Sequence, residues 1–272
     1  MNSTAIYVII FGILCIIIAL NPPSQIEGFQ SAKRRFALII RGEAFRKGTM
    51  GNRDDGKPET YDEQKAACKT HMDLVNKIAA AGYSVDIYID SYSTPYDDEL
   101  LSWYGQNVKD AQFHKTKFDS QRALIKDALE MLKDKNVYDA LMILRIDLHL
   151  KPAFIEKYDP TTSTVQFPFI LWTLNSKTAK GSPMVSDTIF HFPNAHYDKL
   201  HGLYTGSTWG DNTNHAFLDV VPLEYEREYS LLTNHFHDSD SAKDFNPFYK
   251  IIGRPENPVW YDGEQKQFPR DF

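Results

Sequence analysis

Only two cysteines, Cys15 and Cys68, occur in the 272 residues, so the chain has no disulfide framework and no cysteine-rich zinc cluster. Cys15 lies in an apolar N-terminal run and Cys68 in a stretch with helical spacing, which argues against a bridge between them and leaves Cys68 a poor nucleophile. Missing too are the GxxxxGK[ST] phosphate loop, the GxGxxG fingerprint, the GxSxG elbow and the HExxH helix. ATP-driven work and serine- or cysteine-based hydrolysis lose ground accordingly. Positive charge is in deficit: 30 lysines and arginines against 36 acidic residues give a formal charge of -6, which provides no general footprint for nucleic acid. No repeat, low-complexity tract or linker interrupts the chain after Arg35.

What is present is a globular composition, 42% hydrophobic and 13% aromatic, with length enough for one large core. The N-terminal run Ala5 to Leu20, AIYVIIFGILCIIIAL, carries no charge and closes at Asn21-Pro22-Pro23. A bilayer-crossing helix needs about 20 apolar residues, with a range down to roughly 17, and Ser3 and Thr4 extend the run at little cost. No lysine or arginine precedes it and no small-x-small cleavage site follows, which weighs against a removed signal peptide. The expectation is a single-pass membrane anchor over residues 1–21, a tether over 22–34 and one α/β domain over 35–272. Lys33-Arg34-Arg35 after the span favours a cytoplasmic domain, whereas an enzyme of a secretory compartment needs the reverse, so the side of the membrane stays open.

The domain is organised around Tyr138 to Pro152, YDALMILRIDLHLKP. With a strand's period of two, Leu141, Ile143, Arg145, Asp147 and His149 share one face and Ala140, Met142, Leu144, Ile146, Leu148 and Leu150 the other. One face is apolar throughout; the other turns polar as the strand ends, the pattern of a buried strand opening into a site at its carboxyl end. An internal Arg145–Asp147 ion pair would produce the same pattern. Upstream, Arg35 to Arg41 reads as a strand followed by a Gly42-Glu43 turn and a loop from Ala44 to Pro58. Tyr61 to Ala81 reads as a helix stopped by Gly82, and Val85 to Ile89 as a second strand ending in Asp90-Ser91. Tyr92 to Lys117 holds a short helix through Leu101 and Tyr104. Ser120 caps a helix carrying Ala123, Leu124, Ala128, Leu129 and Leu132, which leads into the central strand. Strand, helix, strand, helix, strand predicts an α/β fold with a mostly parallel sheet. Val165 to Leu174 and Thr188 to Phe192 read as later strands.

Three further stretches carry candidate chemistry. Asn234 to Asp240, NHFHDSD, puts His235 and His237 beside Asp238 and Asp240, a donor set suited to a borderline divalent ion, although such a loop is also an ordinary turn composition. Asp187 stands just before an apolar strand, as a catalytic group or as a cap. Trp209 and Asp211 lie between glycines, as a sugar-holding aromatic beside a carboxylate or as a core tryptophan.

An anchored βαβ domain whose central strand ends in LRIDLHLKP resembles the nucleotide-sugar-binding half of GT-A glycosyltransferases, in which an Asp-x-Asp motif at a strand end holds a divalent metal. Arg145-Ile146-Asp147 occupies that place here. The VSDTIFHFP and HDSDSAKDFNPFYKIIGR segments are similar to those of glycosyltransferase-like proteins from algae and their large DNA viruses, and the resemblance covers roughly Arg35 to Arg254. It implies a GT-A-like, Rossmann-like fold acting on a nucleotide-sugar donor and a glycan or glycoprotein acceptor. On it, Arg41, Gly42, Asp90 and Gln121 line the nucleotide, and Asp147 binds Mn or Mg with His237 or Asp238. Asp187 or Asp211 is the base. With Arg145 in place of the first Asp, either one carboxylate holds the metal with help from phosphates and water, or Arg145 meets the diphosphate directly. Two other readings remain: a membrane-tethered binding or virion-surface protein that kept the fold without the activity, and a metal-dependent phosphoester hydrolase using Asp147, His149 and the HFHD loop, His235 to Asp238.

Overall fold

Nine residues, Arg34–Gly42, form strand β1, and six of them in a row, Phe36 to Arg41, are buried. A strand covered on both faces needs such a continuous apolar run, and its neighbours follow. A computed structural model describes residues 33–48, 54–132, 134–169, 185–205, 229–232 and 246–253. Contacts divide the chain into Met1–Lys33 and Arg34–Phe272, and every element below belongs to the second unit. Among the described residues no helix is long and apolar enough to cross a membrane; the expected anchor and nearly all of the tether lie outside the described residues.

After β1 comes helix α1, Tyr61–Ala80, which buries Ala67, Cys68, His71, Leu74, Val75 and Ile78, one stripe at helical spacing. Ala81 ends it, and Gly82 follows with φ +93°. Strand β2, Tyr83–Tyr92, pairs parallel to β1. Helix α2, Asp97–Tyr104, leads to strand β3, Val108–His114, parallel to β2. Helix α3, Gln121–Glu130, starts on the Ser120 hydroxyl, which accepts from the Ala123 amide. Strand β4, Ala140–Arg145, lies on the other side of β1, again parallel.

The central stretch is not one strand. It breaks at Ile146-Asp147, and Leu148–Leu150 forms β5, which pairs antiparallel with the late strand β9, Tyr249–Ile251, in a sheet of its own. The reason is local: Ile146 donates its amide to Arg41 O and the Gln64 amide donates to Ile146 O, so the turn is tied to β1 and α1. His149 is thereby carried away from Arg145 to pair with Lys250 across β5 and β9.

A short helix α4, Pro152–Lys157, precedes strand β6, Val165–Phe167; of the expected strand to Leu174, residues 170–174 lie outside the described residues. Strand β7, Ile189–Pro193, pairs antiparallel with β4, helix α5 spans Tyr197–Thr205, and β8, Tyr229–Leu231, lies parallel to β6. The main sheet runs β3-β2-β1-β4-β7-β6-β8, parallel through its first four strands and mixed beyond. Phe36, Leu38 and Ile40 pack on the α1 side, while Ala37, Ile39, Leu141 and Ile143 pack with α3 and α5 on the other. The protein is thus an α/β fold with a mostly parallel mixed sheet flanked by helices.

Candidate functional site

Side chains of register partners in a parallel sheet project to the same face, and register makes a charged row. Arg41 of β1 lies opposite Asp90 of β2 and Arg145 of β4, at the carboxyl ends of all three strands. The row continues the face on which Ala37, Ile39, Leu141 and Ile143 are covered by α3 and α5. Gln121, the first residue of α3, accepts from Arg41 Nη1 at 3.5 Å, and the Asp187 carbonyl accepts from Nη2 at 2.8 Å. Asp187 reaches this edge because β7 runs antiparallel: its start lies beside the end of β4, where Arg145 N donates to Thr188 O at 3.1 Å. Five expected site residues, Arg41, Asp90, Gln121, Arg145 and Asp187, therefore meet at one edge. Gly42 closes β1 there with φ +121°, and Ser91 donates its hydroxyl to the Gly42 carbonyl at 2.8 Å. Gly42→Ala is expected to cost about 1–3 kcal/mol, because a side chain is strained at that φ whatever room surrounds it; a denaturant midpoint within error of wild type would contradict this.

Arg41 is 2% exposed, and its Nε has no hydrogen-bond partner. Burial, then the like charge of Arg145, lowers its pKa. The Tyr204 hydroxyl on α5 is also buried without a partner, and its field couples to Arg41 and Asp187. Burial pushes that phenol up, so it stays a neutral donor. Two unused donors thus sit against one edge of the sheet, and a buried donor left unpaired is costly unless a ligand takes it.

Asp147 is placed differently. Arg145 donates Nε to its Oδ1 at 2.9 Å and Nη2 to its Oδ2 at 2.5 Å, while Arg46 Nη1 reaches Oδ2 at 2.9 Å. Burial works against the Arg145 charge, but Asp147 outweighs it and raises the guanidinium above its ordinary value. Three guanidinium nitrogens on one carboxylate, itself 1% exposed, do not make an open ligand for a divalent ion. Of its expected companions, His237 and Asp238 lie outside the described residues, as does Asp211.

Beside the row stands a group that sequence reading missed. His114 Nε2, at the end of β3, lies 2.6 Å from Asp90 Oδ1 and 3.2 Å from Asp127 Oδ2 on α3. Burial pushes the Asp90 carboxyl up to about 7 against the opposing pull of His114. Nothing in the order His114, Asp127 announces the group, because its members come from two strands and a helix. Arg46 and Tyr204 were missed for the same reason. Cys68 is buried, and its thiol is pushed up to about 11 by burial, which keeps it unreactive.

No family model matches the chain, and no curated protein matches it. Solved structures similar to it include a Drosophila beta-1,4-galactosyltransferase 7 mutant in complex with manganese, UDP-Gal and xylobiose, at 12% identity and TM-score 0.40, covering 80% of this chain and 71% of that one. A nucleotide-diphospho-sugar transferase from Desulfovibrio desulfuricans G20 is similar at 13% identity and TM-score 0.38, covering 68% and 76%. A glycosyltransferase involved in glycosylation of the major capsid of PBCV-1 is similar at 9% identity and TM-score 0.37, covering 75% and 82%. Likenesses at this level transfer no residue role.

Proposed function

We propose that this chain moves a sugar from a nucleotide-sugar donor to a glycan or protein acceptor, with the donor diphosphate at the carboxyl edge of β1, β2 and β4 and the N-terminal apolar run as membrane anchor. The observation that carries the reading is Arg41: a buried guanidinium at the carboxyl end of a central parallel strand, with an unpartnered Nε and a charge felt by the likewise unpartnered Tyr204 hydroxyl. An anion with several acceptor oxygens satisfies both donors, and open parallel sheets bind ligands at this end. In the transfer, the acceptor hydroxyl oxygen forms a bond to the anomeric carbon. The bond from that carbon to the phosphate oxygen breaks, and its electron pair leaves on the nucleoside diphosphate. Arg41 stabilises the growing charge, and the Asp187 carboxylate takes the acceptor's proton.

A metal at Asp147 has no part in this transfer. An Mn or Mg ion there would have to displace Arg145 and Arg46 from both carboxylate oxygens, which leaves Arg41 as the guanidinium that meets the diphosphate in this reading.

Calorimetry and thermal shift with UDP, GDP and their sugar conjugates test the reading. A donor nucleotide at about 100 times its Kd stabilises the folded chain by about 2.7 kcal/mol. Arg41→Gln is expected to weaken binding about 10- to 100-fold, the equivalent of about 1.5–3 kcal/mol for a charged hydrogen bond. Tyr204→Phe is the safer variant: it removes an unpaired buried hydroxyl, so stability holds or rises while donor affinity falls. No shift with any nucleotide sugar, or wild-type affinity in both variants, would reject the proposal. Binding without product would leave a non-catalytic binding protein.

A further inference from the structure

We propose that Asp90, His114 and Asp127 form a divalent-cation site of the zinc or manganese class, separate from the Arg145–Asp147 pair. Each residue offers one ligand atom, and the three atoms lie within 4.8 Å of one another. A metal held at about 2.0–2.2 Å from nitrogen and oxygen donors spaces adjacent ligand atoms at about 3–3.5 Å. The separation from His114 Nε2 to Asp127 Oδ2, 3.2 Å, falls in that range, and the 2.6 Å to Asp90 Oδ1 lies a little inside it.

The second observation is a shortage of donors. Both carboxylates point an oxygen at the same imidazole nitrogen, which has at most one hydrogen to give. Asp90 Oδ2 and Asp127 Oδ2 are each shielded from water and have no hydrogen-bond donor, and Asp90 is 0% exposed. Among the described residues neither carboxylate makes an ion pair with a lysine or arginine. Asp90, closed off from water, is costly as an anion without a partner, and the partly exposed Asp127 beside it adds a second negative charge, so the pair favours a cation. One imidazole nitrogen with two carboxylate oxygens suits a borderline ion such as zinc or manganese.

The surroundings hold the ligands in place. Asp90 belongs to β2 and His114 to β3, neighbours in the parallel sheet, and Asp127 lies in the second turn of α3. The Phe118 ring meets the imidazole edge-on at 4.7 Å, which restricts its rotation. An ion here would tie two strands to the helix that begins at Gln121. Three protein ligands leave a coordination position for water or for an oxygen of a bound anion.

The test uses the full chain in detergent, stripped with a chelator, dialysed and titrated with zinc or manganese. The proposal expects one ion per chain from this site, read by calorimetry and by elemental analysis. Asp127→Asn and His114→Gln should weaken it by more than the roughly 10–100-fold typical of removing a residue that only orients a ligand. Asp127 is partly exposed, so its amide variant keeps the fold even where the histidine variant does not. Absence of stoichiometric binding would overturn the proposal, as would wild-type affinity in Asp127→Asn. None of these readouts requires sugar transfer, so failure here leaves the donor-site reading intact.

Discussion

Asp147→Ala is expected to lower the unfolding free energy by about 3–5 kcal/mol, because it removes the carboxylate that two buried guanidinium groups share. Arg46 is 1% exposed and Arg145 7%, so neither charge can be recovered by water without opening the fold. Arg46 keeps a second carboxylate, Glu43 at 3.6 Å; the larger part of the loss therefore falls on Arg145. For a domain of this size the change amounts to a drop in Tm on the order of 10 °C. Removing both partners tells a different story. Arg145→Met combined with Asp147→Leu leaves a smaller stranded charge, and the double-mutant cycle should show strong coupling between the two positions. A loss for Asp147→Ala within the roughly 0.5 kcal/mol of an ordinary surface substitution would mean that the pair is not closed as described.

That pair shows what one strand's alternation can and cannot convey. The polar turn after Ile143 was visible in the sequence, and so were an ion pair and a ligand-facing strand end as its two meanings. Deciding between them needed Arg46, which reaches Asp147 across 101 positions from a loop of mixed charges. The parallel strands were legible from their apolar periods, Phe36 to Ile40 running unbroken in β1 and Val85, Ile87 and Ile89 sharing one face of β2: the expected Arg35–Arg41 and Val85–Ile89 lie inside the observed Arg34–Gly42 and Tyr83–Tyr92. The α1 stripe and the Ser120 cap were legible for the same kind of reason, a local period and a local hydrogen bond. Strand β3 was not, since the sequence VKDAQFH is half exposed at the sheet's edge and carries no apolar run. With β3 went His114, and with His114 the cluster on Asp90.

The candidate edge divides along the same line. Arg41, Asp90 and Arg145 end three strands that could be recognised one by one, and parallel register then sets them in a row. Asp187 joins through an antiparallel pairing of β7 with β4 that no local pattern predicts, and Tyr204 through helix α5, whose buried face includes Leu200, Leu203 and the tyrosine itself. A ligand edge is thus readable to the extent that its residues terminate apolar strands.

Between pH 6.5 and 4 the chelator-treated protein is expected to lose at least about 3 kcal/mol of stability, with two buried histidines outweighing one buried carboxyl. Burial lowers His71 and His191 to about 4 from an unfolded value of 6.5. His71 Nε2 donates to the Leu148 carbonyl at 2.6 Å, which leaves Nδ1 to accept from the Tyr104 hydroxyl at 2.8 Å; Cys68 faces the same hydroxyl, and the fields of His149 and Asp147 oppose each other. His191 Nδ1 meets the Tyr158 hydroxyl at 2.8 Å, with Asp159 nearby. Below pH 6.5 the unfolded chain takes two protons that the fold refuses, so their contribution, fully present above 6.5, is lost as pH falls toward 4, about 3 kcal/mol for each. Asp90 runs the other way: raised to about 7 from 3.8, its folded carboxyl binds a proton that the unfolded one does not, and stability grows as pH falls through that window. Asp159 is held below its ordinary 3.8 by Thr161 and loses its share only below the window. His149, half-buried and lowered chiefly by burial, adds to the same loss, so the slope is no smaller than the about 1.4 kcal/mol per pH unit that two protons less one leave. Urea unfolding at half-unit steps should therefore show a shallower profile than wild type for His191→Gln and a steeper one for Asp90→Asn; equal slopes in all three proteins would mean that these side chains are not buried as neutral groups.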